Sequence, residues 1–378
     1  MLRGKVHSAH MSLCTRMYMY VHVCTPFCSI VHVVHIACSQ MTLLLFCRLV
    51  KMNGTTTHPK AAAALNGTAK LTAKAAVNYS MYTRLSSYLI ALRPWSFATS
   101  MCPVILGCCL ANKTAGVFNV WIFVVTCVTA LCVHAAGNLV NTYYDYRKGV
   151  DSQKSSGDRT LVDNILSPDD VVSLAGFLYT AACLGFLILT WLSPTKMEVL
   201  AVVYFGGMSG SFLYTGGLGL KYIALGDVMI FLTFGPVTVL FAYLSQGGEM
   251  SLAPLVYTIP LALNTETILH ANNTRDMLSD QAAGVVTLAI LCGKSGSYAL
   301  FAFILFVPYL IIFYFMFYCS VWFILPAVTI FLAFRYEKLF RKGLLEKMPE
   351  RMAALNLQFG LLYAFAILMS VKEQLPLL

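Results

Sequence analysis

The stretch Leu263-Asn-Thr-Glu-Thr-Ile-Leu-His-Ala-Asn-Asn-Thr-Arg-Asp-Met-Leu-Ser-Asp280 decides the fold, because it closes a long apolar run with many polar side chains. Polar groups at membrane depth are costly and usually mark function. On a helix that turns about 100° per residue, six of them share one broad face: Glu266, His270, Asn272, Asn273, Asp276 and Asp280. A solvated, charged helix end would not explain the deeper members of this face.

The spine of that face consists of Asn272, Asp276 and Asp280, each one helical turn apart. Two carboxylates this close at a membrane rim repel each other unless a cation lies between them. Hard oxygen ligands of this kind suit Mg²⁺, which shares its coordination shell with substrate phosphates. The spine therefore predicts a magnesium site.

A second polar stretch closes an earlier apolar run, His134-Ala-Ala-Gly-Asn138-Leu-Val-Asn141-Thr-Tyr-Tyr-Asp145. Four of its side chains share a narrow helical stripe: His134, Asn138, Asn141 and Asp145. Gly149 suits a helix end and would let Asp151 fold back beside Asp145, although Asp151 lies off the stripe of a straight helix. Two carboxylate-rich helix ends at one membrane depth predict a shared diphosphate site, where metal ions neutralise the leaving group.

The composition excludes a soluble protein. Of 378 residues, 58% are hydrophobic and 11% are charged, and the mean hydropathy is +0.73. The 13 cysteines lie mostly in apolar runs without regular spacing, so we expect neither disulfides nor a zinc site. The net charge of +10 is interpreted as a membrane-topology signal rather than as nucleic-acid binding.

The sequence predicts an all-α polytopic membrane protein with four segments. Residues 1–51 form an atypical leader that need not belong to the mature protein, and 52–84 a disordered cytosolic tail. The membrane domain covers 85–372, and 373–378 form a C-terminal tail. The domain holds about nine apolar runs, each long enough to cross a hydrocarbon core of about 30 Å: near 95–112, 119–145, 171–192, 197–214, 225–245, 252–275, 297–317, 319–336 and 353–371. Within the fifth, Gly235-Pro236 predicts a kink whose freed backbone lines a cavity.

The distribution of basic residues predicts a cytosolic N-terminus. With an odd number of spans, most loop lysines and arginines then lie inside, together with both acidic stretches. Arg159, Lys221 and Arg275 become candidates for binding diphosphate because acids lie nearby, although each alone is better explained as a topology signal. A diphosphate at the rim of a membrane bundle implies an isoprenyl tail inside the bundle. Ionisation of its C–O bond would give an allylic cation, which Tyr and Asn dipoles stabilise and an aromatic carbon attacks.

Five strings resemble the animal branch of the UbiA superfamily of intramembrane prenyltransferases. They are Ala-Leu-Arg-Pro-Trp-Ser-Phe (91–97), Gly-Asn-Leu-Val-Asn-Thr-Tyr-Tyr-Asp (137–145), Asp-Arg-Thr-Leu-Val-Asp (158–163), Ser-Gly-Ser-Phe-Leu-Tyr-Thr-Gly-Gly (209–217) and Asn-Asn-Thr-Arg-Asp-Met (272–277). The resemblance covers 86–372 and implies a UbiA-type helical bundle with a central cavity. Five residues separate Asp145 from Asp151, where the superfamily commonly has three, and this wider spacing is typical of the animal branch.

The resemblance also implies roles for individual residues. Mg²⁺ and diphosphate would be held by Asn141, Asp145, Asp151, Asp276 and Asp280. Phosphate oxygens would be bound by Arg159, Lys221 and Arg275. The reaction centre would be lined by Asn138, Tyr214, Asn272 and Asn273. Glu266 and His270 would lie deeper and contact the acceptor, although a hydrogen-bonded packing role explains His270 equally well.

By the same resemblance, the protein transfers geranylgeranyl from its diphosphate to menadione or menadiol, forming menaquinone-4 (vitamin K2). It would lie in the endoplasmic reticulum or Golgi membrane and associate with HMG-CoA reductase. One alternative is a 4-hydroxybenzoate polyprenyltransferase of ubiquinone synthesis, since Arg3, Lys5 and Arg16 leave mitochondrial targeting open. A non-catalytic prenyl-lipid sensor is another, although all five expected ligands are present. A transporter would explain polar residues in mid-span but not two acidic motifs at one face.

Overall fold

The computed structural model describes residues 86–116, 118–151 and 159–378. The predicted leader, 1–51, and the predicted tail, 52–84, lie outside the described residues. So does part of the polar loop that follows the first acidic motif.

Helices make up the described part of the chain, joined by short turns. They are α1 (Ala98–Ala115), α2 (Val120–Arg147), α3 (Pro168–Leu192), α4 (Met197–Leu213), α5 (Gly226–Leu232), α6 (Thr238–Ser245), α7 (Ala253–Arg275), α8 (Met277–Ala282), α9 (Leu288–Tyr318), α10 (Ile324–Ala327), α11 (Ile330–Arg341) and α12 (Met348–Met369). Two short 3-10 turns matter for the site: Pro94–Ser96 runs into α1, and Leu220–Tyr222 precedes α5.

Several helices are long and apolar enough to cross a membrane, as expected of an integral membrane protein. Among the described residues there are six such stretches: Pro94–Ala115, α2, α3, Gly226–Ser245, α9 and α12. Helix α4 is apolar but spans only 17 residues, and α7 has the length but carries many polar side chains. The predicted count of about nine spans is therefore not confirmed.

The predicted span 319–336 is not one helix. A 3-10 turn, Val321–Phe323, is followed by the four-residue α10 and then by α11. Pro326 lies in this segment, and its ring and missing N–H prevent a regular helical hydrogen bond to the preceding turn. Helix α9 begins at Leu288, well before the predicted 297, and bends at Gly293, whose φ is +65°.

The predicted kink at Gly235-Pro236 is present. Residues Thr233–Val237 form a π-type turn between α5 and α6, and Gly235 has φ −103° and ψ −106°, outside the helical range. Pro236 accounts for part of the distortion, because it cannot donate its backbone hydrogen bond. Gly235 is buried where this turn meets α7, and a Cβ atom there would lie 2.6 Å from the Cβ of Ala262. The kink thus permits a close approach of α7 to the α5–α6 segment.

Replacing Gly235 by alanine should destabilise the bundle, because the added methyl group forces α7 away from the turn. We expect a loss of about 1–3 kcal/mol, measured as a lower midpoint of thermal unfolding in detergent. Gly176 on α3 is the matched control, since it is exposed and a Cβ atom there meets nothing within 4 Å. Gly176→Ala should leave the midpoint unchanged or raise it slightly. Equal midpoints for the two variants would contradict this account of the kink.

Candidate active site

The end of α2 is held by a lysine from the Leu220–Tyr222 turn. Asp145 is only 4% exposed, and its Oδ2 accepts a hydrogen bond from Lys221 Nζ at 2.6 Å. Its Oδ1 accepts from the Tyr222 hydroxyl at 2.9 Å. Lys221 Nζ also lies 3.2 Å from Asn141 Oδ1, one turn earlier on α2. The lysine therefore bridges two residues of the predicted stripe.

The chain turns back after α2, as the sequence predicted. Gly149 has a φ of +73°, in the left-handed region that favours glycine. The backbone N–H of Val150 donates to the Asp145 carbonyl at 2.9 Å, and that of Asp151 donates to the same oxygen at 3.3 Å. The backbone of Asp151 thus lies next to that of Asp145, although five residues separate them in sequence.

The second acidic stretch is held by an arginine. Arg275 Nε and Nη2 donate to Asp276 Oδ1 and Oδ2, both at 2.7 Å, and Nη2 donates to Asn272 Oδ1 at 2.8 Å. The continuous helix expected over 263–280 is interrupted, because α7 ends at Arg275 and α8 begins at Met277. Asp280 still lies one helical turn after Asp276, since its backbone N–H donates to the Asp276 carbonyl at 2.9 Å.

The carboxylates of the two stretches act on one another electrostatically. Burial raises the pKa of Asp280 to about 6, Lys221 opposes that rise, and the charges of Asp276, Asp145 and Asp151 add to it. The segment that holds Asp145 is also hydrogen-bonded to the chain just after α8, since the Val286 N–H donates to the Tyr222 carbonyl at 3.2 Å, and Val150, Tyr222 and Val285 pack together. The end of α2 and the α7–α8 junction therefore lie at one end of the bundle.

This donor set fits a divalent metal ion. Carboxylate and amide oxygens are hard ligands, and their mutual repulsion would be relieved by a cation. Within the described residues, however, no group of three or more His, Cys, Asp or Glu side chains is already arranged around one point. Lys221 on Asp145 and Arg275 on Asp276 explain this, because each basic group holds a carboxylate that a metal would need.

The third predicted phosphate ligand, Arg159, lies at a more exposed position. Its guanidinium Nε donates to Asp163 Oδ2 at 2.9 Å, and its side chain is 46% exposed. Arg159 is the first described residue after 151.

A cavity lies beside the acidic cluster and has two chemically different walls. The first 3-10 turn, α1 and α2 supply a polar wall: Ser96, Thr99, Ser100, His134, Asn138 and Asn141. Helices α4 to α7 supply a mostly apolar wall that includes Val203, Met208, Ile230, Phe241, Ile268 and Leu269, with hydroxyl groups at Ser211, Thr233, Thr238 and Thr265. Lys221, Tyr214 and Asn272 also line the cavity, so it opens onto the ion-paired carboxylates.

The polar wall is a connected hydrogen-bond network. Asn138 Nδ2 donates to the Leu92 carbonyl at 3.0 Å and to Ser96 Oγ at 3.2 Å. Ser96 Oγ and Ser100 Oγ lie 3.2 and 2.6 Å from the two ring nitrogens of His134. The ring packs edge-on against Phe97 and Phe234. The sequence placed His134 on the same stripe as Asn138 but gave it no role, and the two serines were missed.

Glu266, His270 and Asn273 lie away from the cavity. On α7 the cavity-lining residues are Thr265, Ile268, Leu269 and Asn272, and the other three project about 100° farther round the helix. They form a buried polar cluster with Asp227 of α5, which the sequence analysis missed. The structure therefore does not bring Glu266 or His270 to the cavity for contact with an acceptor, nor Asn273 to the reaction centre.

The contacts of this buried cluster are incomplete. Asn273 Nδ2 donates to Asp227 Oδ2 at 3.4 Å, and His270 Nδ1 lies 3.5 Å from Asp227 Oδ1. His270 Nε2 donates to the Ser297 carbonyl at 2.9 Å. Among the described residues, no N–H group donates to the carboxylate of Glu266, which is 6% exposed and lies beside the Asp227 carboxyl. The signal that could have identified Asp227 is a single acid in an apolar run, next to Gly226.

Tyr214 directly follows α4 and lines the cavity. Its backbone carbonyl accepts a hydrogen bond from the Lys221 N–H at 2.8 Å, which ties it to the turn that holds Asp145. A phenol is uncharged at neutral pH, so Tyr214 presents a polar aromatic ring to the cavity.

Comparisons with known proteins agree on one family. The sequence model of the UbiA prenyltransferase family matches residues 100–357. UbiA prenyltransferase domain-containing protein 1 of Homo sapiens is 54% identical over 293 residues, which cover 78% of this chain and 86% of that protein.

Solved structures have the same fold. The apo UbiA homolog from Aeropyrum pernix K1 superposes with a TM-score of 0.56 at 13% identity, covering 70% of this chain and 95% of the other. The UbiA homolog from Archaeoglobus fulgidus bound to DMAPP and Mg²⁺ gives a TM-score of 0.52 at 13% identity, with coverages of 75% and 99%.

Asp227→Ala should destabilise the protein, because it leaves the side-chain amide of Asn273 buried without its acceptor and opens a gap beside His270. We expect a cost of about 1–3 kcal/mol, seen as a lower unfolding midpoint in detergent. Asp163→Ala is the control, since its ion pair with Arg159 is exposed and should change stability by no more than about 1 kcal/mol. A midpoint for Asp227→Ala as high as that of the control would show that Asp227 does not support the packing of α5 on α7.

Proposed function

The chain belongs to the UbiA prenyltransferase family, and we propose that it transfers geranylgeranyl from geranylgeranyl diphosphate to menadiol, the hydroquinone of menadione, forming menaquinone-4. The observation that carries the proposal is the two-walled cavity that opens onto the carboxylates of two helix ends. Such a cavity suits a lipid diphosphate, whose head needs charge and whose tail needs an apolar surface. The acceptor needs a third, polar region, which the α1–α2 wall supplies.

Mg²⁺ is the proposed cofactor. The structural relative from Archaeoglobus fulgidus is described as bound to Mg²⁺ and an isoprenyl diphosphate, and the acidic cluster here supplies suitable ligands. They would be Asn141, Asp145, Asp151, Asp276 and Asp280. Bound there, the metal would withdraw charge from the diphosphate as it leaves.

The basic residues would change partners when the substrate binds. Lys221 and Arg275 now hold Asp145 and Asp276, and a diphosphate offers them a stronger, multiply charged partner. As they turn towards phosphate oxygens, the two carboxylates become available to the metal. Arg159, from the neighbouring loop, would add a third contact to the phosphates.

The cavity walls would then position the two substrates. The prenyl chain would lie along the apolar wall near Val203, Met208 and Phe241, where it is shielded from water. The dipoles of Asn138 and Tyr214 would face the allylic cation. Asn272 lines the same space beside the diphosphate. The acceptor would lie against the polar wall, so the structure supports His134 rather than His270 as its neighbour.

We further propose an endoplasmic reticulum or Golgi membrane with a cytosolic N-terminus, and association with HMG-CoA reductase. The cluster of Lys221, Arg275 and the acidic residues at one end of the bundle supports the orientation. It would place the diphosphate site on the side where soluble prenyl diphosphates and Mg²⁺ are available.

A direct assay tests the substrates. Membranes from a host that lacks the activity are supplied with geranylgeranyl diphosphate, Mg²⁺ and either menadione, with and without reductant, or 4-hydroxybenzoate, and products are identified by mass. We expect a prenylated naphthoquinone that disappears with EDTA. Prenylated hydroxybenzoate would instead assign the protein to ubiquinone synthesis. Saturable diphosphate binding without either product would favour a sensor.

Asp276→Ala should abolish Mg²⁺-dependent turnover while the protein remains folded in the membrane. Removing this carboxylate takes away a proposed metal ligand and leaves Arg275 without its bidentate partner. Turnover is measured with the assay above, and folding by the unfolding midpoint. Asp169→Ala is the control, because Asp169 lies exposed in the first turn of α3. Normal turnover in Asp276→Ala would overturn the metal assignment.

Lys221→Met should separate metal binding from diphosphate binding. In the native protein, Mn²⁺ alone competes with Lys221 for Asp145, so pyrophosphate should strengthen its binding. The variant should bind Mn²⁺ alone about tenfold more tightly and lose most of the pyrophosphate effect, as followed by electron paramagnetic resonance.

Lys342→Met, at the exposed end of α11, is the control for that experiment. It removes one positive charge from the surface without touching Asp145, so Mn²⁺ binding and its enhancement by pyrophosphate should match the native protein. Weaker Mn²⁺ binding in Lys221→Met than in Lys342→Met would contradict the exchange of partners.

A further inference from the structure

His134 is a buried histidine with both ring nitrogens engaged at the cavity wall. It is 7% exposed on α2, with Ser100 Oγ 2.6 Å from Nδ1 and Ser96 Oγ 3.2 Å from Nε2. All three residues line the cavity. The ring is held edge-on between Phe97 and Phe234, so its orientation is fixed.

The hydrogen bonds of Ser96 determine which ring nitrogen carries the proton. A serine hydroxyl has one hydrogen, and that of Ser96 donates to the Arg93 carbonyl at 2.8 Å. Ser96 Oγ also accepts from Asn138 Nδ2 at 3.2 Å, so towards His134 it can only accept. The Nε2 atom therefore carries the hydrogen, and in a neutral ring Nδ1 is the acceptor.

Ser100 is consequently the donor in the short contact with His134. Its single hydroxyl hydrogen points at Nδ1, which leaves the oxygen to accept a hydrogen bond from a molecule in the cavity. A hydroxyl oriented in this way can accept one proton while it donates its own to the imidazole. The same arrangement occurs where a general base activates a nucleophile or a proton relay.

We propose that Ser100 and His134 together accept the hydroxyl proton of the aromatic acceptor, which rests on the proposed function of an aromatic prenyltransferase. Ser100 would contact the acceptor, and His134 would act through it, held in place by Ser96. A cavity that held only a prenyl chain would need only apolar side chains at this depth. A role for Ser100 and His134 towards the acceptor explains why the wall is polar there.

The distance along α2 suits this assignment. His134 lies seven residues before Asn141, or about 10 Å along the helix axis. With the diphosphate near Asn141, the reacting carbon of the prenyl group lies a few Å deeper, and the attacking ring carbon about 3–3.5 Å from it. The rest of the roughly 10 Å between Asn141 and His134 leaves room for one aromatic ring system with its hydroxyl at Ser100.

The proton and electron movements balance. The acceptor's O–H bond breaks as its proton moves to Ser100 Oγ, and the proton of Ser100 moves to His134 Nδ1. The C–O electron pair leaves with the diphosphate, and the ring carbon of the phenolate attacks the allylic cation, so that a C–C bond forms. The diphosphate then takes the hydrogen of that ring carbon as a proton, while His134 and Ser100 return a proton to the oxygen.

Two substitutions and their combination test the proposal in the full-length protein in membranes. Ser100→Ala and His134→Gln should each lower kcat with menadiol by about 10²–10⁴-fold and leave the KM for geranylgeranyl diphosphate unchanged. Because the two residues act as a unit, the double variant should lose no more than either single variant. Imidazole in the buffer should partly restore a His134→Ala variant.

A failure of the Ser100–His134 relay can be told apart from a failure of the proposed function. Thr126→Val, on the same helix, removes a buried hydroxyl that donates only to the Ile122 carbonyl, so its kcat should match the native value. The relay is wrong if the native protein prenylates menadiol and both single variants keep its kcat. It is equally wrong if the two losses multiply and imidazole restores nothing. Absence of product from the native protein would instead refute the proposed function itself.

Discussion

The ion pair between Asp145 and Lys221 is the contact on which the site depends. A buried carboxylate without a partner is very costly, and removing one member of such a pair costs about 3–5 kcal/mol. Here the lysine comes from the turn before α5, so the pair ties the end of α2 to the start of the α5–α6 segment. The Tyr222 hydroxyl on the other carboxylate oxygen strengthens the same connection. Asp145, a ligand of the proposed metal ion, is thus also a connection between helices.

Helix α7 shows how one helix serves two environments. Its cavity face carries Asn272 beside Ile268 and Leu269, whereas the neighbouring face packs His270 and Asn273 against Asp227. Breaking the hydrogen bonds from His270 to the Ser297 carbonyl and from Asn273 to Asp227 would leave buried polar groups without partners, so the packing of α9 and α5 on α7 is costly to disturb. The rigid side of α7 therefore supports the side that the proposed reaction uses.

The sequence predicted the two acidic helix ends because charge in an apolar run is visible without a structure. It predicted Lys221 and Arg275 as phosphate ligands, whereas in the structure they pair with Asp145 and Asp276. Glycine and proline residues predicted the reversal at Gly149 and the kink at Gly235. The sequence could not predict the direction in which α7 presents Glu266 and His270, because one broad polar face can meet two different neighbours.

The sequence also did not predict which residues from different helices contact one another. Asp227 is a single acid, and Ser96 and Ser100 are small residues common in membrane helices, so none stands out until packing brings them to a histidine or an asparagine. The two walls of the cavity follow from that packing and not from any one motif. An apolar wall cannot orient a polar ring, and a polar wall would not shield an allylic cation from water, so the proposed reaction needs both. The helices that supply them are joined at one end by the ion pair of Asp145 and Lys221, so the contact beside the proposed diphosphate site also connects the two walls.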